Sequence, residues 1–433
     1  MHRRNLWRTS AAFAFVLICV ATLVPSSGAK RILVLCIWCG DQAGIDAFQN
    51  VLLYVPLGFA LHRNGLRGRT AVSLCSALSV IIEAAQYCWI AGRYASIQDV
   101  ITNMLGAFLG VVLSAHAKTL LAPGARVAQR LTLVIAAGLL ALNGLTSWLL
   151  RPAFPEGPWW AQFAPPHRLY ADRFHGTLYS ARLAEAGLVG GSQVDAATVA
   201  AVRQSPEIGC ELVSRIVTGE PTRGVAAITA IADEHNHVVA MLGQDKDAVV
   251  FRVRMRAEAA GFANPVFRAS SLPAPGTATT IIGRLRDGQL AIEVQSPHGL
   301  TSNQLPLSSS WAWLFLLRHA PSGNSAIAAG TALWLFAILT IGSFWATRTG
   351  APATVRKFRA LLSLATAGAL LLVPWIAGIP LSGWTEWTAA IAGLAVGALL
   401  ATSYRHPRRT SEFVRRQSSR RRRGGVEASS SHQ

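Results

Sequence analysis

Ala71–Ile90 is a run of 20 residues with a single acidic or basic side chain, Glu83, and the chain holds seven more segments of similar character. Crossing the hydrocarbon core of a bilayer takes about 20 mostly apolar residues in helical form. The other candidates are Ala11–Pro25, Ala47–Leu61, Val100–His116, Leu131–Leu150, Ala326–Ala346, Leu361–Ala377 and Trp387–Ser403, so about eight spans are expected. Only 14% of residues are charged and 52% are hydrophobic, against about 25% charged in a typical soluble domain. That balance excludes an ordinary soluble enzyme, and for most of the chain it excludes disorder, which requires low hydrophobicity. Met1–Lys30 also carries a signal-peptide pattern, with Arg3, Arg4 and Arg8 before an apolar run. A retained first span is preferred because apolar segments follow at membrane density.

The charge placement predicts an orientation. Arg3, Arg4, Arg8, Arg63, Arg67, Arg69, Lys118, Arg126, Arg130, Arg348, Arg356, Lys357 and Arg359 fall in alternate loops, joined by a tail with nine arginines from Arg405 to Arg423. The intervening short loops carry only Lys30, Arg31 and Arg93. Basic residues accumulate on the cytoplasmic side, so the C-terminus is expected inside and residues 151–320 outside, in a bacterial inner membrane. The net charge of +19 is then mostly cytoplasmic, since 151–320 holds 15 basic and 14 acidic residues. A basic juxtamembrane tail is expected to meet anionic lipid headgroups rather than nucleic acid.

Three spans carry polar groups that are costly facing lipid. Asp46 and Asn50 share one helix face, as do Glu83 and Gln86, and Asp99 and Asn103, with Arg93 in the connecting loop. Counting the rise of the helices from their ends places all three pairs toward the outer leaflet. Gly106 and Gly110 form a small-xxx-small seam for close helix approach, and Pro56 is expected to bend its span. Arg93 is expected to pair with Glu83 or Asp99. Two readings of the cluster stay open: a structural latch of mutually bonded polar groups, or a site for a lipid headgroup or lipid-linked sugar.

Asn50-Val-Leu-Leu-Tyr-Val-Pro56-Leu-Gly58, then Glu83-Ala-Ala-Gln86, then Arg93, Ser96, Asp99 and Asn103-Met-Leu-Gly106-Ala-Phe-Leu-Gly110 resemble the VanZ-like membrane proteins, over roughly residues 10–120. The resemblance implies a bacterial envelope protein of a family whose founding member lowers sensitivity to the glycopeptide teicoplanin. It implies no particular reaction, and no nucleophile elbow, P-loop or H-E-x-x-H is present.

Residues 151–320 lose the long apolar runs. Cys210–Val217, Ala226–Ala232, His237–Leu242, Ala248–Met255, Thr279–Leu285 and Leu290–Val294 alternate as strands, with an opening strand at Phe174–Leu178. The segments from Ile228 to Asp233, Val238 to Gln244 and Ala248 to Arg254 resemble concanavalin A-like or laminin G-like jelly rolls, which often bind glycans. No E-x-D-x-x-E strand is present and Glu293 stands alone, so glucanase chemistry is not expected. Asp233, Asp245 and Asp247 are close enough in sequence to suggest calcium, although hairpin loops are commonly acidic without a metal. Trp159, Trp160, Tyr170 and Tyr179 are candidates for stacking on sugars, and Trp311 and Trp313 for anchoring at the membrane interface. Cys36 and Cys39 form a lone C-x-x-C, read as a local disulfide or simple packing.

The expected architecture is therefore a membrane α-helical bundle of about eight spans with an inserted all-β jelly-roll ectodomain. The expected divisions are 1–150, a VanZ-like bundle; 151–320, the sandwich; 321–403, three further spans; and 404–433, a basic tail. No cofactor is expected. The expected function is non-catalytic recognition of wall or surface glycan or an amphiphilic glycopeptide. The rivals are an enzyme on lipid-linked wall precursors, with Glu83 and Asp99 as acid and base, and a transporter or flippase.

Overall fold

The computed structural model describes residues 2–24, 35–37, 42–91, 93–165, 172–205, 210–317 and 324–403. The basic tail, Tyr170 and Cys39 lie outside the described residues. Eight helices among the described residues are long and apolar enough to cross a membrane. They are α1 (His2–Leu23), α2 (Ala43–Arg63), α3 (Gly68–Trp89), α4 (Ile97–Leu121), α5 (Ala125–Leu149), α6 (Asn324–Thr347), α7 (Pro352–Ala377) and α8 (Trp384–Ser403). Each overlaps one of the apolar runs read from the sequence. A π-helical turn at Gly368–Leu372 interrupts α7.

The chain divides into two compact units built from discontinuous pieces: Met1–Leu121, Ala141–Thr331 and Ala369–Ser382 make the first; Ala122–Leu140, Ala332–Gly368 and Gly383–Gln433 the second. In the first, α1 to α4 share a core of Ala14, Ile18, Tyr54, Leu57, Cys75, Ile82 and Ala107. The tightest seam joins α2 and α4. A Cβ on Gly106 would overlap the Val51 carbonyl, one on Gly110 the Val55 carbonyl, and one on Gly58 the Ala107 carbonyl. Because Val51 faces Gly106 and Val55 faces Gly110, the two helices run parallel, held backbone to backbone where only glycine fits. Pro56 lies inside α2 without ending it. A short parallel ladder of β1 (Leu35–Cys36) and β2 (Ala95–Ser96) crosses one end of this bundle.

The all-β part consists of two sheets in which every pairing is antiparallel. Its strands are β3 (Trp159–Phe163), β4 (Thr177–Leu183), β5 (Ala186–Leu188), β6 (Glu211–Val217), β7 (Val225–Asp233), β8 (Val238–Asp245), β9 (Ala248–Val253), β10 (Val266–Ser271), β11 (Ala278–Arg286), β12 (Gln289–Ser296) and β13 (Gly299–Pro306). One sheet has the order β10-β9-β8-β7-β3, the other β13-β12-β11-β6-β4-β5. Their inner faces meet in a single core containing Trp159, Leu212, Ile228, Phe251, Ile281 and Ile292. Gly283 has no side chain because the Phe251 ring lies against its backbone. The core continues past the strands into Leu149 and Leu150 at the end of α5, a 3-10 turn at Trp311–Leu316, and Ile327 of α6.

Between the sheets, the Ser214 and Thr229 hydroxyls bond to each other at 2.8 Å, both fully buried. Removing one partner strands the other, at about 1–3 kcal/mol, while removing both with shape retained is nearly neutral. Ser214→Ala alone is therefore expected to lower the thermal midpoint clearly, and Ser214→Ala combined with Thr229→Val to restore most of it. A double variant no better than the single one would refute this account.

Several expectations change here. Phe174–Gly176 is not strand; β4 starts at Thr177. β3, β5, β10 and β13 and a capped helix at Ala196–Gln204 were not read from the sequence. Trp159 is fully buried, with its indole N–H donating to the Pro155 carbonyl at 3.3 Å, so it does not stack on sugars. Trp311 is a core residue, 4% exposed, rather than an interface anchor. Glu293 is not alone: Arg284 bridges it to Glu211 across adjacent strands.

In the second unit, Gly393 and Gly397 of α8 meet the backbone of Phe336 and the Thr340 carbonyl of α6, a second glycine seam. The Gln129 amide donates to the Thr349 carbonyl at 3.0 Å. Glu386, in the first turn of α8, is buried and accepts the Gly383 N–H at 2.8 Å, which serves a helix start as an N-terminal carboxylate should.

Candidate functional site

Asp46, Asn50, Glu83, Gln86, Arg93, Asp99 and Asn103 lie toward the end of the bundle where α2 and α4 begin and α1 and α3 finish. Glu83 is buried near the end of α3, and its Oε2 accepts the Ser96 N–H of β2 at 2.7 Å. It thereby holds the loop that leads into α4. Ser96 Oγ donates onward to the Ile37 carbonyl at 3.5 Å. One turn deeper, Asn103 of α4 donates to Ser79 Oγ of α3 at 2.9 Å.

Gln86 and Arg93 have a different task. The Gln86 amide donates to the Thr22 carbonyl at 2.9 Å, and Arg93 Nη2 donates to the Ala21 carbonyl at 2.9 Å. Both carbonyls lie in the last turn of α1, where a helix runs out of backbone donors. The expectation for Arg93 is corrected: it makes no ion pair with Glu83 or Asp99, because its reach is used to cap α1. Asp46, Asn50 and Asp99 are half-buried at the same end, on α2 and α4.

Gln98 was overlooked in the sequence, although it lies five residues before Asn103 on the same helix. Its Nε2 donates to the Ala43 carbonyl at the start of α2, at 2.7 Å. The opposite face of each amide is unsatisfied. Gln98 Oε1 and Asn103 Oδ1 are buried and accept no hydrogen bond from the described residues, on residues only 8% and 3% exposed. In a segment that spans lipid, such an atom costs several kcal/mol unless a donor reaches it.

The same end of α2 is fastened to the sandwich. Ile45 N donates to the Gly261 carbonyl at 3.1 Å, and a Cβ on Gly44 would lie 2.7 Å from the Ala260 carbonyl. Gly261 has φ +75°, the left-handed backbone that glycine adopts freely. The Gln49 amide adds a bond to the Leu316 carbonyl at 3.1 Å. Asp46 and Asn50 thus sit on the turns that carry the bundle–sandwich junction.

Near the junction, a cavity of about 490 Å³ is lined by Leu150, Leu285, Leu307 and Ile379 on its apolar side and by Arg151 and Arg256 on its polar side. Arg256 packs over the Trp148 ring at 5.1 Å, and neither arginine has a carboxylate partner among the described residues. Elsewhere in the sandwich, Arg182, Arg203, Arg252, Arg268 and Arg284 are all neutralised by ion pairs. Two unneutralised guanidiniums beside leucine walls suit an anion with an apolar body.

The three carboxylates suggested for calcium do not meet. Asp233 ends β7, whereas Asp245 closes the far end of β8 and pairs with Arg268 at 2.7 Å, and Asp247 accepts from Ser271 Oγ at 3.2 Å. A strand of this length separates its ends by about 20 Å. Burial raises the Asp233 pKa, but the hydrogen bonds from the His237 ring, His237 N–H and His235 N–H together hold it below the usual carboxylate range. Among the described residues, the group able to hold a metal is Asp233, His235 and His237. Cys36 is disulfide-bonded, and Cys210 is a buried thiol that burial pushes up to about 12, leaving it unreactive.

Compared with known proteins, residues 3–118 match the family described as VanZ/LLP1. The match covers α1 to nearly the end of α4, the part that holds the glycine seam and the polar groups. No curated protein matches the chain, and no solved structure does.

Proposed function

We propose that this membrane protein of VanZ type is a recognition protein: it binds an amphiphilic, hydroxyl-rich ligand, a wall or surface glycan or a glycopeptide, where the bundle meets the sandwich. The observation that carries the reading is the pair of buried amide oxygens, Gln98 Oε1 and Asn103 Oδ1, which lack donors beside the Glu83 carboxylate. A pure latch would satisfy its own members; acceptors left open call for donors from outside, as sugar hydroxyls and amides provide. The arginine-and-leucine cavity adds a place for an anionic, partly apolar group. The loop charges favour an inner membrane with the sandwich extracytoplasmic and the tail cytoplasmic, against anionic headgroups. The two antiparallel sheets support the jelly-roll, lectin-like assignment for the sandwich.

The test uses the whole chain in detergent micelles, because the sandwich core includes residues of α5 and α6. Labelled teicoplanin serves as the probe. Wild type is expected to bind saturably, and the double variant Arg151→Ala, Arg256→Ala about tenfold or more weakly, from the loss of two charge-assisted contacts. Absence of saturable binding by wild type to teicoplanin and to wall glycan fragments would overturn the proposal.

A further inference from the structure

The β7–β8 hairpin turns through Asp233-Glu234-His235-Asn236-His237. Asp233 is 6% exposed, and its Oδ1 accepts the backbone N–H groups of His235 at 2.9 Å and His237 at 2.8 Å. Oδ2 lies 2.9 Å from His237 Nδ1. Asn236 takes φ +61°, a left-handed turn that asparagine tolerates. The imidazoles of His235 and His237 consequently stack, with centroids 5.8 Å apart and planes at 29°. One donor atom from each of Asp233, His235 and His237 lies within 4.8 Å of the others.

From this convergence we propose that Asp233, His235 and His237 bind a borderline divalent transition-metal ion of the zinc class. Two imidazole nitrogens and one carboxylate oxygen are the donor set such ions prefer, whereas calcium takes six to eight oxygens. The carboxylate is already held by the backbone of its own turn, so little ordering remains when the metal arrives. Three protein ligands leave a fourth position open, and both rings face solvent, with side chains 70% and 47% exposed. The open position takes water or an oxygen donor. The turn lies at the helix-facing end of the sandwich: Arg254, just past β9, donates its N–H to the Val239 carbonyl at 2.8 Å, and Pro152, following α5, pairs with Met255. The proposal is independent of the glycan reading, since it concerns the metal alone.

The test is a Zn²⁺ titration of the full-length protein in micelles, carrying an affinity tag without histidine and stripped with chelator beforehand. The chain has 11 histidines, so the readout is a difference between variants. Wild type is expected to bind one Zn²⁺ more than the double variant His235→Ala, His237→Ala, and His237→Ala alone to weaken that site about 10–100-fold. Excess Ca²⁺ is expected not to compete. Equal stoichiometry in wild type and double variant, or displacement by Ca²⁺, would overturn the assignment. Co²⁺ added to the wild type gives a reading that needs no variant: visible ligand-field bands of imidazole coordination support the site, and their absence refutes it.

Discussion

Gly106→Leu and Gly110→Leu are each expected to abolish accumulation of the folded protein, whereas Gly138→Leu leaves it near the wild-type level. The difference lies in what a side chain would meet. At Gly106 and Gly110 the obstacles are the carbonyls of Val51 and Val55, backbone that cannot swing aside, while nothing lies within 4 Å of a Cβ at Gly138. Overpacking against movable side chains typically costs about 1–3 kcal/mol; forcing two helix backbones apart costs more and separates every other contact of the α2–α4 seam. In lipid that seam has no hydrophobic driving force to fall back on, since the surrounding tails are as apolar as leucine. Membrane levels by immunoblot and monodispersity in detergent measure the effect. A Gly110→Leu protein as abundant and monodisperse as Gly138→Leu would show that α2 and α4 do not meet as described.

If the protein binds as proposed, Glu83→Ala is expected to abolish protection of cells from teicoplanin, and Glu83→Gln to separate anchoring of the Ser96 N–H from ligand binding. Alanine strands the Ser96 N–H, at about 1–3 kcal/mol, and releases the loop entering α4. Glutamine keeps an oxygen for that N–H, so its bundle is expected to accumulate normally, but it replaces the carboxyl group with an amide. Teicoplanin susceptibility of cells expressing wild type, Glu83→Ala, Glu83→Gln and Asp99→Asn, at matched membrane levels, gives the readout. Protection by wild type that is lost in Glu83→Gln identifies the carboxyl group as a binding group. Protection retained in Glu83→Gln and lost in Glu83→Ala makes Glu83 a latch only.

The eight long apolar helices and the gathering of Glu83, Gln86 and Asn103 toward one end of the bundle were legible because lipid imposes a simple rule: about 20 apolar residues, with polar groups turned inward. The glycine seam was legible for the same reason, as Gly106 and Gly110 recur at one helical turn. The partners of those groups were not. Arg93 caps Ala21 and Thr22 accepts from Gln86, pairings that depend on where α1 ends in space. Gln98 escaped notice because an amide near a helix start looks like surface. Asp233, Asp245 and Asp247 looked like neighbours until β8 ran its full length between them, and counting carboxylates hid the two histidines beside Asp233. β13, Gly299–Pro306, is an edge strand with mostly exposed, small polar side chains, so no alternation marks it.

The contact of Gly44 and Ile45 with Ala260 and Gly261 also bears on the order in which the protein is made. A ribosome delivers α1 to α4 long before it reaches residue 261, and loops that far apart close slowly. During that interval the first turn of α2 lacks the carbonyl that will receive Ile45 N–H. The polar end of the four helices therefore lacks this contact until β3 to β9 of the sandwich have been synthesised. The bundle is finished, in effect, by a segment translated after all four of its helices.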